Sequence, residues 1–176
     1  VDIWMGTLSK TLAASGGYVC GNAALIDILK SNASGFVYSV GLAPALAASA
    51  TEALAILNAE PERVSRLQAN AKLFLKLAAE AGLDTGLAEP YAVVPVMVGD
   101  SMLAAKLSER ILARGVNALP IIFPAVPMQS ARLRFFISSL HEESDLRTAV
   151  QVVAEELERL CEEEFHNRLP AHLLSI

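Results

Sequence analysis

Residues 6–17, Gly-Thr-Leu-Ser-Lys-Thr-Leu-Ala-Ala-Ser-Gly-Gly, constrain the fold more than any other stretch of the chain. Glycine, serine, threonine and alanine dominate it, so it reads as a loop or tight turn rather than a helix or strand interior. Short apolar runs flank it: residues 1–5 read as a buried strand, and Tyr18–Gly21 as a second short strand holding a buried Cys20. Lys10 is its one lysine, set among the hydroxyls of Thr7, Ser9 and Thr11 with no acid in the stretch. A lysine buried without a carboxylate gives up its proton readily, because desolvation disfavours the ammonium, and a neutral amine is the form that makes a Schiff base. The hydroxyls of Thr7 and Ser9 suit a phosphate or phenolate oxygen. The residues alone leave a second reading equally open, in which Lys10 is an exposed loop lysine.

Beyond the loop, Asn22 fits the N-cap of a helix running to about Ser31, and Phe36–Val40 reads as extended. A run of Ala and Leu follows from about Ala43 to Asn58, with Pro44 in its first turn; its nearly uncharged surface predicts a helix buried on most sides. The next helix, from Pro61 to Gly82, is one-sided, with Val64, Leu67, Ala71, Phe74, Leu75 and Ala78 at three- and four-residue steps. This change of character places a domain boundary near residues 58–62, dividing the chain into residues 1–58 and 59–176.

The second part reads as an α+β lobe. Tyr91–Val98 is a strand whose Pro95 implies an edge position or a bulge, Ser101 to Arg114 a helix, Val116–Phe123 an extended run and Pro124–Pro127 a turn. Ala131–Ser138 alternates Leu133, Phe135 and Ile137 against Arg132, Arg134 and Phe136, and Glu142–Glu164 forms a last helix with Leu146, Val150, Val153, Leu157 and Leu160 inward. Nine of the 19 acids lie in that helix, so the net charge of -5 describes mainly one solvated face, with which Arg132 is expected to pair. His141 reads as a cap or packing residue; His166 and His172 lie in the tail and carry no argument.

The acidic balance and the lack of a basic run exclude a general nucleic-acid binder. No window is apolar enough for a membrane span. Cys20 and Cys161 match no metal or redox spacing, and a reduced, cytoplasmic chain is the simplest expectation.

Asp2-Ile3-Trp4-Met5-Gly6-Thr7-Leu8-Ser9-Lys10, followed by Ser15-Gly16-Gly17-Tyr18, resembles the lysine segment of the α-oxoamine synthases, pyridoxal-phosphate enzymes of aminotransferase-like fold. Two later segments are similar in order and spacing: Phe36-Val37-Tyr38-Ser39-Val40-Gly41-Leu42-Ala43-Pro44, which leads into the Ala-rich helix, and Val126-Pro127 with Ala131-Arg132-Leu133-Arg134 and His141. Ala13, Ala125 and Gly41 depart from the family pattern, which usually has Gly at the first position, often Thr or Ser at the second, and in some members a hydroxyl at the third.

The resemblance implies an α/β fold: the C-terminal part of the large domain of an aspartate aminotransferase-like enzyme, plus a small α+β C-terminal domain. It implies that Lys10 forms the Schiff base with pyridoxal 5'-phosphate, that Thr7 hydrogen-bonds the cofactor, and that Ser39 approaches its phosphate, often across a homodimer interface. Arg134 would pair with the amino-acid carboxylate, for which a guanidinium fork is suited. The implied reaction condenses an amino acid with an acyl thioester, on coenzyme A or a carrier protein, losing carbon dioxide to give an α-amino ketone. Aminotransferase or lyase chemistry on the same fold is an alternative, as is a non-catalytic dimerisation module built on the Ala-rich helix.

Family members are roughly twice this length, against a general range of ~100–200 residues for one domain. Their N-terminal half carries the acid facing the pyridine nitrogen, the stacking ring and the glycine-rich phosphate loop. The chain opens on Val1 without Met, as though cut from something longer. On that expectation these 176 residues alone would bind the cofactor weakly or not at all and would be inactive.

Overall fold

A computed structural model describes the backbone of residues 1–168 and the side chains of residues 1–163, so His172 and the side chain of His166 lie outside the described residues. The chain divides into two compact units, Val1–Pro61 and a second beginning at Glu62.

In the first unit, β1 (Trp4–Thr7) and β2 (Gly17–Cys20) form an antiparallel hairpin with Thr7 opposite Gly17. Glycine is required at the turn end of β2, where a Cβ on Gly17 would stand 2.8 Å from the Gly6 carbonyl oxygen; one on Gly6 would stand 2.5 Å from the outer end of the Tyr18 ring, which would have to move. The hairpin is exposed, Trp4 at 62% and Cys20 included, which corrects the expectation of a buried first strand and a buried Cys20. Two strands make a single ribbon, and most of its side chains stay exposed.

Three helices follow: α1 (Ala23–Asn32), α2 (Ser34–Val37) and α3 (Pro44–Ala59). Asn22 caps α1 as expected, its side-chain oxygen accepting from the Leu25 N–H at 2.8 Å. The segment expected to be extended, 36–40, instead begins in α2, because the Ala33 carbonyl accepts the N–H groups of both Phe36 and Val37 and closes a helical turn. Pro44 opens α3 at a position where its missing N–H costs nothing. Only Ala50 of α3 is buried, so the helix is not enclosed on most sides within its own unit. Its apolar surface finds one small cluster there, Leu8, Ala14 and Ala50, flanked by Leu12 and Leu46.

The second unit holds the main core. α4 (Glu62–Glu80) ends in a Schellman arrangement: Leu83 N–H donates to the Ala78 carbonyl, Gly82 N–H to the Ala79 carbonyl, and Gly82 takes φ +72°. β3 (Val93–Gly99), β4 (Leu119–Ile121) and β5 (Ala131–Phe136) make an antiparallel sheet in the order β3-β5-β4. β3 is an edge strand, which accommodates Pro95, and its ladder is irregular between Met97 and Gly99. α5 (Ser101–Ala113) is capped by Asp100, whose carboxylate accepts from Met102 and Leu103 at 2.8 and 2.9 Å. α6 (Glu143–Arg168) packs against α4 and α5.

One face of this sheet is buried. Val94, Val96, Leu133 and Phe135 join Phe74 of α4, Leu107 and Ile111 of α5, and Leu146, Val150 and Val153 of α6 in a single cluster. The Phe74 and Phe135 rings meet at 5.0 Å between centroids, tilted by 41°. Val93, Pro95, Leu119, Arg134 and Phe136 share the other, open face. No helix among the described residues is long and apolar enough to cross a membrane.

Candidate active site

The loop 8–16 joins β1 to β2 and carries Lys10 near its tip. Leu8 N–H donates to the Gly16 carbonyl at 2.9 Å, extending the hairpin ladder, and Ala14 N–H returns to the Leu8 carbonyl at 2.9 Å. Between them a tight turn closes with Ala13 N–H on the Lys10 carbonyl at 3.0 Å. That closure drives Ala13 to φ +49°, the left-handed region where a Cβ is strained, at the position where the resemblance had Gly in place of Ala. Leu8 and Ala14 are buried in a cluster with Ala50 while Lys10 is exposed, so two apolar anchors fix the turn that presents the amine.

Thr7 and Ser9 come together at the base of this turn. Their hydroxyl oxygens lie 2.8 Å apart, the Ser9 N–H donates to the Thr7 hydroxyl at 3.2 Å, and the Thr7 hydroxyl reaches the Gly16 carbonyl at 3.3 Å. The i, i+2 spacing around a local turn explains the pairing. Lys10 itself is exposed, so the burial expected of it is not provided by its own unit. Ser39 follows α2, exposed, with its hydroxyl donating to the Phe36 carbonyl at 3.3 Å. No hydrogen bond joins Ser39 to the Thr7–Ser9 pair among the described residues. A hollow of about 610 Å³ in this unit is lined by Met5, Tyr18, Ile26, Leu29 and Phe36, and Lys10 is not part of its wall.

Arg134 lies in the second unit, on the central strand and on its open face. Its cross-strand neighbours are Pro95 and Leu119, neither of which offers a side-chain acceptor. Arg132 shares that face, but its Nε donates to the Ser130 carbonyl at 3.0 Å instead of pairing with α6 as expected. The reason is topological: α6 packs on the other side of the sheet, where its acids meet different arginines.

Those arginines are at the end of α5. Arg114 donates to Glu156 at 2.9 Å and to Glu155 at 2.8 Å, and Arg110 forms a two-pronged bond to Glu163. The Arg110 fork holds Glu163 below the usual carboxylate range; the Gln151 amide and then Arg114 do the same for Glu155. The same bonds push both guanidinium groups further up. Glu156, only 5% exposed, also accepts from Arg159 at 2.9 Å, which leaves this buried acid well satisfied.

Asn70 was not visible as a structural residue in the sequence reading. Its amide donates to the carbonyls of Ser138 and His141, each at 2.9 Å, and His141 turns its Nδ1 to accept the Ser138 N–H at 3.3 Å, a packing and turn role as expected. The available signal was a polar residue between Leu67 and Phe74 on the apolar stripe of α4. No group of three or more His, Cys, Asp or Glu is placed to hold a metal among the described residues.

Comparison with known proteins bears on both units. The chain is 40% identical over 154 residues to the 8-amino-7-oxononanoate synthase of Symbiobacterium thermophilum, an alignment covering 88% of this chain and 39% of that protein. It superposes on a high-resolution structure of SPT with a PLP internal aldimine with a TM-score of 0.84, at 24% identity, over 91% of this chain and 40% of the other. On the 8-amino-7-oxononanoate synthase of Francisella tularensis the TM-score is 0.78 at 21% identity, covering 90% and 46%. The chain therefore spans less than half the length of these relatives, and both structures share its aminotransferase-like fold. Residues 1–161, which include both the lysine turn and the strand of Arg134, match the family described as aminotransferase class I and II, and the chain belongs to that family.

Proposed function

We propose that the chain is part of a pyridoxal-phosphate-dependent α-oxoamine synthase, acting as 8-amino-7-oxononanoate synthase does on an amino acid and an acyl thioester. The observation that carries this reading is the 40% identity to a relative of that name across 88% of the chain. The lysine turn fits the cofactor chemically: it offers one primary amine for an aldehyde, two adjacent hydroxyls for anionic oxygens, and no competing acid.

When bound, pyridoxal phosphate supplies an electron sink for negative charge developing at the amino acid's α-carbon. Lys10 Nζ would hold the cofactor through its aldehyde carbon, and the same amine would serve as the base for the amino acid's α-proton. Thr7 and Ser9 would donate hydroxyl hydrogen bonds to the cofactor's anionic oxygens, and Ser39 would donate to the phosphate. Arg134 binds the substrate carboxylate with both prongs of its guanidinium, which fixes the bond that is to break.

A homodimer is part of this proposal. Phe36, Tyr38, Val40 and Leu42 around Ser39 are 46–97% exposed, an apolar strip suited to a partner surface. A cytoplasmic site of action fits the two free, exposed cysteines.

The test uses the full-length protein. Borohydride reduction and peptide mapping are expected to find the pyridoxyl group on Lys10, and carbon dioxide release is expected to need both an amino acid and an acyl thioester. Transfer of the amino group to a keto acid, with no thioester requirement, would instead establish an aminotransferase.

A further inference from the structure

Of the arginines on α5 and α6, Arg110, Arg114, Arg147 and Arg159 each meet a carboxylate, and Arg132 on the sheet is tied to the Ser130 carbonyl. Arg134 has no hydrogen bond or ion pair among the described residues, and its strand neighbours Pro95 and Leu119 cannot provide one. Its one specific contact is aromatic: the guanidinium carbon lies 4.9 Å from the centroid of the Phe136 ring. Two residues apart on one strand, both side chains stand on the same face. Phe136 is 58% exposed, whereas Phe135 beside it is 6% exposed in the core.

From this geometry we infer that Phe136 is a positioning residue for the amino-acid substrate, acting through Arg134; the inference rests on the reading of Arg134 given above. A long side chain with many rotamers is held against the ring by attraction between the cation and the π face. The ring contact uses none of the guanidinium N–H donors as a conventional hydrogen bond, and no acceptor among the described residues engages them, so they stay available for a carboxylate. The ring thereby lowers the ordering that substrate binding would otherwise demand of the arginine.

Steady-state kinetics of the full-length protein, with the amino acid varied at saturating acyl thioester, tests this. Phe136→Leu keeps an apolar side chain of similar size and removes the π face; it is expected to raise KM for the amino acid about two- to fivefold with kcat unchanged. Phe136→Tyr, which keeps the face, is expected to match the parent. Equal effects of the two substitutions, or no effect of Phe136→Leu while Arg134→Gln raises the same KM by about tenfold or more, would overturn the positioning role and leave Arg134 in place. An unchanged KM in Arg134→Gln would overturn the reading of Arg134 itself, and the inference with it.

Discussion

The side-chain amide of Asn70 donates to the carbonyl of Ser138, 68 residues later, at 2.9 Å. Its second bond, to His141, closes the turn between β5 and α6, so one amide on α4 ties down the segment that follows the arginine strand. Replacing Asn70 by Leu leaves two partly buried carbonyls without this donor and is expected to cost about 1–3 kcal/mol. Hydrogen exchange should show lost protection concentrated at residues 138–146, with the hairpin of the first unit unaffected.

Gly17 faces the Gly6 carbonyl at a distance that excludes a Cβ. Gly17→Ala must move the backbone from which the Lys10 turn springs. On the role proposed for Lys10, we expect kcat of the full-length protein to fall by about 10²-fold, since small displacements of a reacting group cost on that order, with a much smaller change in unfolding midpoint. Rate and midpoint measured on the same preparation would separate this from simple unfolding.

Ala13 is the reverse case. Its φ of +49° strains an L residue and suits glycine. Ala13→Gly is expected to stabilise the protein by about 0.5–1 kcal/mol and Ala13→Val to destabilise it by more than that, as read from urea midpoints.

The carboxylates of Glu155 and Glu163 are held below their ordinary value of 4.5. A group with a depressed folded pKa contributes stability above its unfolded pKa and loses it as pH falls through the folded value. Thermal midpoints should therefore drop on acidification below about pH 4.5, and Glu163→Gln should flatten part of that drop. Because Glu163 is exposed, high salt is expected to shrink the difference.

Local signals were readable without a structure where one residue decides a geometry. Asn22 as a cap, Gly82 as a helix end, Pro95 at a sheet edge and the alternation from Leu133 to Phe136 all follow from rules that act within a few residues. Reading failed where a distant layer decides. The hairpin and α3 were expected to be buried because they are apolar, yet burial depends on what packs over them, and their own unit provides only Leu8, Ala14 and Ala50. Arg132 was assigned to α6 because charge alone cannot tell which side of a sheet a helix covers. At the candidate site, Lys10 and its hydroxyls were visible as residue types in a turn, but the Ala50 contact that anchors the turn joins segments far apart in sequence.

That contact has a consequence for how the sequence can vary. The surface under the lysine turn is the Ala50 methyl group with Leu46 beside it, and in so small a cluster a longer side chain at position 50 is expected to press on Leu8 and Ala14. A serine or valine at position 50 would be innocuous to an isolated helix. Here it would act as a shim, changing the height of the amine above the hairpin without touching any residue of the turn.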